Sequence, residues 1–366
     1  MVLVEKRYIL PLQYQSQSIG FDEWFQLFTL GLAPVVLHLA SGVPEPTVLG
    51  AGEPPGWWDR LPLFNPISIL WRYFAVADRR IRAKCWDKRD MAASNAAFWD
   101  ARNMRWDGGD ELLVPSRRWI TREPAGSHVS LMSASVLATL GLTMQSIQVI
   151  VSWTKDSKSA HDTLNMVFSS FASFSLFRLV AAYWLSDDYG FKTTGLKLRH
   201  ESLSVAHSQW RLMGSISELD AYSALLEGGL AGAGEPSPGS RLHTTSSWRG
   251  RASRIAMGFL LLGSFGYGLS AIGPGIIWHQ EDAVTATEAL VRVFYGFIAA
   301  GAFSIFGYYI VLGQNRSTIL PCIQEPWYKW YTMLLVALAA AALVFSSLET
   351  HSCPGRPANT YTTYPC

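Results

Sequence analysis

The chain has 366 residues, 49% apolar and 13% aromatic, and only 16% carry a formal charge, against roughly 25% in a typical soluble domain. Thirty basic against 28 acidic residues leave a net charge of +2, which argues against nucleic acid as a partner. A mean hydropathy of +0.15 is low for a chain lying wholly in lipid, so spans separated by charged loops are expected, and four cysteines cannot staple a chain of this length.

A bilayer core about 30 Å thick needs about 20 consecutive apolar residues. Segments 131–151, 164–185 (interrupted by Arg178), 255–277, 293–313 and 328–348 (with Lys329 at its edge) meet that requirement. A sixth, 24–40, is shorter and contains Gln26, Pro34 and His38, so a buried or re-entrant helix competes with a span there. Residues 1–23 lack the pattern of a cleaved leader. The expected fold is all-α, a polytopic transmembrane bundle of six spans with cytoplasmic amphipathic helices.

Lys and Arg concentrate in cytoplasmic loops. Residues 41–130 hold 13, 186–254 hold 8 and 314–329 hold 2. The large loops are therefore expected in the cytoplasm and the 349–366 tail outside or in a lumen. If 24–40 does not span, only the N-terminal segment 1–23 changes sides.

In the first large loop, 41–65 is rich in Pro and Gly and carries Trp57 and Trp58, the pattern of irregular chain at a membrane surface. From Pro66 to Trp86, Ile67, Leu70, Trp71, Phe74 and Ile81 recur at helical spacing, with Arg72, Arg79, Arg80, Arg82 and Lys84 crowding around them. A basic amphipathic helix of this kind suits an anionic leaflet, and a charged face on a helix packed against the bundle fits equally well. Residues 90–106 read as an Ala-rich helix ended by Gly108 and Gly109. In the loop at 186–254, Leu203, Ala206, Trp210, Met213, Ile216 and Leu219 step along another amphipathic helix, and 228–240 reads as a flexible linker. No internal repeat supports an inverted-repeat transporter.

The strings Pro62-Leu-Phe-Asn-Pro-Ile-Ser-Ile-Leu-Trp-Arg-Tyr73, Ala77-Asp-Arg-Arg80, Asp90-Met-Ala-Ala-Ser-Asn95 and Asp187-Asp-Tyr-Gly190 resemble those of a group of uncharacterised multi-pass membrane proteins of filamentous fungi. The resemblance covers mainly 60–190. It implies a fungal integral membrane protein with a link to secondary metabolism and supplies no catalytic residue.

Signals for chemistry are sparse. The eight His include no pair at di-iron spacing; His161 with Asp162, His279 with Glu281 and Asp282, and His351 with Cys353 carry zinc-ligand types that could converge on one ion, but short polar loops collect such residues without a metal. No metal and no cofactor is expected. Asp187 and Asp188 follow the 164–185 span and have the look of a magnesium-diphosphate pair, without the second acidic cluster such an enzyme needs; a solvated helix end explains them more simply. Walker, Gly-x-Ser-x-Gly and His-Glu-x-x-His motifs are absent from the sequence. Ser135, Thr139, Thr143 and Ser146 form a hydroxyl stripe, and Gly296, Ala300 and Ser304 a small-residue stripe; both read most simply as helix-packing faces, with a hydrophilic cavity as the alternative. No Asp or Glu lies inside the six apolar runs, which disfavours ion-coupled transport.

Arg178 is the only charge well inside a run. It either snorkels to the cytoplasmic interface or, with Ser175 one turn away, binds an anionic headgroup or substrate. Cys353 and Cys366 share the external tail and are candidates for a disulfide. Three functions follow: a non-catalytic organiser of protein partners at the cytoplasmic loops or handler of an apolar metabolite, a membrane-embedded enzyme acting on lipid or isoprenoid, and an uncoupled transporter or channel. The lipid bilayer is the partner common to all three.

Overall fold

The structure, a computed structural model, describes residues 33–49, 53–101, 103–130, 133, 136–137, 139–140, 143–144, 173–192, 241–263 and 286–348. Of these, 68% are helical. The helix expected over 203–219, the linker over 228–240 and the tail carrying Cys353 and Cys366 lie outside the described residues, as do most of 131–151 and parts of 24–40, 164–185 and 255–277.

Chain order gives α1 (Ala33–Gly42), β1 (Pro46–Leu49), α2 (Trp57–Arg60), α3 (Pro66–Arg82), α4 (Lys88–Asn95), β2 (Ala97–Asp100), β3 (Arg105–Asp107), α5 (Asp110–Ser116) and β4 (Ile120–Arg122). A helical stretch over 173–181, here α6, precedes β5 (Gly190–Phe191), α7 (Trp248–Leu261), α8 (Ala286–Val311) and α9 (Pro326–Leu348). Within α8 and α9, Ala289–Val311 and Pro326–Ser346 are long and apolar enough, by length and composition, to cross a membrane.

Two small sheets modify the all-α expectation. β1 runs parallel to β2, with Pro46 opposite Ala97, and β2 forms a hairpin with β3, with Trp99 opposite Trp106. β4 pairs with β5, Ile120 opposite Phe191. The helix expected over 90–106 therefore ends at Asn95, and the irregular chain expected over 41–65 holds a strand and a short helix. The tight turn between β2 and β3 places Met104 in the left-handed region, at φ 49°.

α3 is the axis of the fold. Asn65 caps it by accepting from the Ile67 amide at 2.9 Å, and Pro66 takes the first helical position, where no amide partner is needed. Its N-terminal half buries Ile67, Leu70, Trp71 and Phe74 against Tyr295, Ile298, Ala302 and Phe306 of α8 and Phe177 of α6. Trp71 meets Phe306 edge-on at 5.4 Å. Two polar contacts tie its start to α9: Asn65 Nδ2 donates to the Thr332 hydroxyl at 2.9 Å, and the Ser68 and Tyr328 hydroxyls lie 2.8 Å apart.

The buried face of α8 runs through Tyr295, Ile298, Ala299, Ala302 and Phe306. Ala300 and Ser304 are exposed, so the stripe 296/300/304 is not the packing face expected of it. The close approach is at Gly301 instead, where a Cβ would collide with the Tyr331 hydroxyl and come within 2.8 Å of Ile67. In the other stripe, Thr139 and Thr143 are buried, and the Thr143 hydroxyl donates to its own helix at Thr139 O, 2.7 Å away. Ser135 and Ser146 lie outside the described residues.

The connection between α8 and α9 docks onto a polar cap built from α2 to α5 and the two sheets. The Thr318 amide donates to Gly108 O at 3.0 Å, Trp71 Nε1 to Ser317 O at 3.0 Å, and Gln324 Nε2 to Trp106 O at 3.2 Å. Gly108 is required there, because a Cβ would stand 2.6 Å from the Thr318 hydroxyl and 2.9 Å from the Ile319 amide.

Where the cap meets the long helices, exposed aromatic rings gather. Half-buried Trp58 touches the exposed Trp57 and Trp330, at centroid distances of 5.3 and 5.5 Å, and Trp327 and Phe64 are exposed nearby in sequence. Away from this girdle the exposed faces are apolar: Val293, Phe297 and Phe303 on α8, Leu334, Val336 and Val344 on α9.

Candidate functional site

The C-terminal half of α3 turns from apolar to charged, and its charges are buried. Arg82 reaches Asp78 one turn back at 2.7 Å and Asp110 of α5 at 2.9 Å, while Arg79 holds the other oxygen of Asp110 at 2.9 Å. Arg79 also donates to Gly108 O and, at 3.4 Å, to Arg316 O. Burial raises the Asp78 carboxyl above its ordinary range, against the opposing pull of Arg82. Burial lowers Arg79, offset in part by Asp110. A buried charge left alone costs several kcal/mol, so each of these side chains is tolerable only with the others in place.

A second cluster adjoins the first. Asp87 and Asp90 form a capping box at the start of α4: Asp87 accepts from the Asp90 amide at 2.9 Å, and Asp90 accepts from the Asp87 amide at 3.0 Å. Both carboxylates then clasp two arginines from remote segments. Arg117 meets Asp90 at 2.5 Å and Asp87 at 2.9 Å, and Arg241 meets them at 2.6 and 3.0 Å. Backbone bonds complete the clasp, with Lys84 N donating to Arg241 O and His243 N to Arg82 O, each at 2.8 Å. The segment leading into α7 is thereby fastened to the cap.

These clusters correct the membrane-surface reading of α3 for Arg72, Arg79 and Arg82, which are buried. Helical spacing places them beside the apolar residues but cannot show that Asp78 of α3 itself, Asp110 of α5 and Asp187 after α6 meet them. Arg80 lies over the rings of Trp86 and Trp184, 5.8 Å from each centroid, and Lys84 is exposed. The network residues Asp78, Asp87, Asp90, Asp110, Arg117 and Arg241 were not singled out from sequence. Only the Asp78–Arg82 spacing of four and the Asp87-x-x-Asp90 box carried a local signal.

Arg178 donates to the Ser41 hydroxyl, at the C-terminal turn of α1. Arg72 approaches the same turn, donating to Gly42 O at 2.6 Å and to Asn95 O at 3.1 Å, and lies 3.7 Å from Asp187. Tyr73 is buried between the fields of these two arginines, with His38 edge-on to its ring at 5.3 Å. Ser175 is buried, and its carbonyl accepts from the Thr143 hydroxyl at 3.5 Å. The structure thus brings Arg178, Arg72 and Asp187 to one region around the end of α1. Asp188 turns elsewhere, to Arg122 at 3.3 Å. The two aspartates engage different arginines, which is not the arrangement of a shared magnesium site.

Among the described residues no group of three His, Cys, Asp or Glu is placed to hold a metal ion. Cys322 is buried, and burial pushes its thiol up to about 12, far from a nucleophile's range. A cleft of about 350 Å³ opens between β3 and the α8–α9 connection, lined by Arg105, Trp106, Asp107, Ser317, Gln324 and Glu325. Its lining mixes both charge signs and includes no nucleophile paired with a base. The chemistry this site can perform is mutual neutralisation: four buried or half-buried arginines and four aspartates lock α3, α4, α5 and the entry to α7 into one body. No protein-family model, curated protein or solved structure matches this chain.

Proposed function

We propose that the chain is a non-catalytic membrane protein whose folded cap, held at the cytoplasmic leaflet, organises protein partners or hands on an apolar metabolite. The carrying observation is the pairing of a charge-compensated cap interior with an aromatic girdle and two exposed apolar helices beneath it. Trp at the junction of polar and apolar zones is the signature of a membrane–water interface. The buried ionic groups of the cap are committed to one another and so serve shape rather than turnover.

In this reading α8 and α9 belong to a polytopic bundle of six spans, with 24–40, 131–151, 164–185 and 255–277 as the others. The loop charges place the cap in the cytoplasm and the C-terminal tail outside. The resemblance of residues 60–190 to fungal multi-pass proteins adds a setting in secondary metabolism to the proposal.

Proximity labelling from an enzyme inserted at residue 235 of the full chain tests it. A discrete set of neighbours is expected, enriched over a label on an unrelated protein of the same membrane. Purified chain that converts a lipid or isoprenoid substrate would overturn the non-catalytic reading.

A further inference from the structure

The first turns of α7 present a graded face. Trp248, Arg251, Ile255, Phe259 and Leu262 follow one another at steps of three, four, four and three, all exposed, so one stripe passes from aromatic to cationic to apolar. α7 also begins seven residues before the apolar run that starts at Ile255, and the added turns carry Arg249, Arg251 and Arg254. Ser247 caps this start, accepting from the Gly250 amide at 3.3 Å.

The end of α8 lies alongside. Arg254 packs at Gly313, where a Cβ would be 2.9 Å from its guanidinium, and donates to Thr245 O at 3.1 Å. The exposed apolar surface of α8 stops at Val311 and Leu312, and Arg316, exposed, follows four residues later. Arg249 leans over the Trp248 ring, 5.7 Å from its centroid.

None of Arg249, Arg251, Arg254 and Arg316 pairs with a carboxylate among the described residues, whereas Arg79, Arg82, Arg117 and Arg241 each do. From this contrast we infer that the α7 entry and the α8 exit together form a docking surface for anionic phospholipid headgroups. Charge complementarity selects the occupant: cations standing directly above a lipid-facing apolar stripe meet phosphate and carboxylate at headgroup depth. The inference rests on the membrane reading of the chain and adds lipid selectivity to it. It also moves the leaflet contact from α3, where the arginines are buried, to α7.

The test uses full-length chain in detergent micelles, titrated separately with phosphatidylserine and phosphatidylcholine, with bound lipid counted by native mass spectrometry. Wild type is expected to prefer phosphatidylserine. Arg251 and Arg316 are exposed, so R251Q/R316Q should fold, and it should lose about fivefold of that preference for each arginine removed. R251K/R316K should keep the preference, as should K88Q on the outer face of the cap. Equal binding of the two lipids by wild type, or an unchanged preference in R251Q/R316Q, overturns the headgroup surface. Alkaline carbonate extraction of membranes separates the two failures: a pelleted chain without lipid preference loses only this inference, and a released chain loses the membrane reading as well.

Discussion

Lys329 Nζ, in the first turn of α9, lies 2.7 Å from the carboxylate of Asp59 in α2. The pair pins the head of an apolar helix to the tryptophan-bearing corner of the cap, beside the contact of Trp58 with Trp330. It is part-buried, so its loss should be felt but not fatal. D59N is expected to cost about 1 kcal/mol, read as a small drop in thermal midpoint in detergent. A midpoint unchanged within error would mean that the rings alone hold this corner.

Asp110 serves two buried guanidiniums at once. D110N leaves Arg79 and Arg82 short of a charge partner, and a loss of about 3–5 kcal/mol is expected. R89Q breaks an exposed pair with Glu123 and should cost less than about 1 kcal/mol. Denaturant unfolding of the full chain compares them; equal effects would refute the network as the lock of the cap.

The Asp87 clasp sets an acid limit. The carboxyl is held below its ordinary value by the Asp90 amide and by Arg117 and Arg241, against the opposing effect of burial. A group whose pKa is lowered on folding stabilises above its unfolded value of about 3.9 and loses that contribution as pH falls through the folded one. The midpoint difference between wild type and D87N should therefore be present at pH 6 and shrink below about pH 4. A constant difference across that range would contradict the linkage.

Two cysteines report access and side. Cys85 is exposed, whereas Cys322 is buried with its thiol pushed up. In a C353S/C366S background, an impermeant maleimide should label Cys85 only after the membrane is opened and should leave Cys322 unmodified until the chain is denatured. Labelling of Cys85 in sealed cells would reverse the proposed orientation.

The sequon Asn315-Arg316-Ser317 is expected to stay unglycosylated. In the proposed topology it faces the cytoplasm, and the structure buries the Asn315 side chain independently. A mobility shift on glycosidase treatment would overturn both grounds together.

Periodicity reads α3 to within four residues of its end, because a sustained apolar face survives whatever packs on it, and the apolar runs 293–313 and 328–348 fall on both long helices. It failed at 97–107. Ala97, Phe98, Trp99 and Asp100 are all buried, so β2 shows no alternation, and its Ala-rich approach reads as more helix. The start of α7 was missed for a different reason. A search for charge-free runs discards turns carrying Arg249, Arg251 and Arg254, although arginine is a good helix former. The ionic network was the least legible part, since Arg241 and its aspartate partners are about 150 residues apart and no local pattern records such a meeting. Only the 78/82 and 87/90 spacings foreshadowed it.

The docked connection between α8 and α9 has a mechanical consequence. With Gly108, Trp71 and Arg79 gripping residues 316–318, neither helix can slide along its axis relative to the cap without breaking several hydrogen bonds together. Piston-like displacement of either helix is therefore strongly opposed. In the proposed membrane setting, movement passing between the two sides would have to take the form of a shared tilt, the hairpin acting as the stem and the cap as the lever arm.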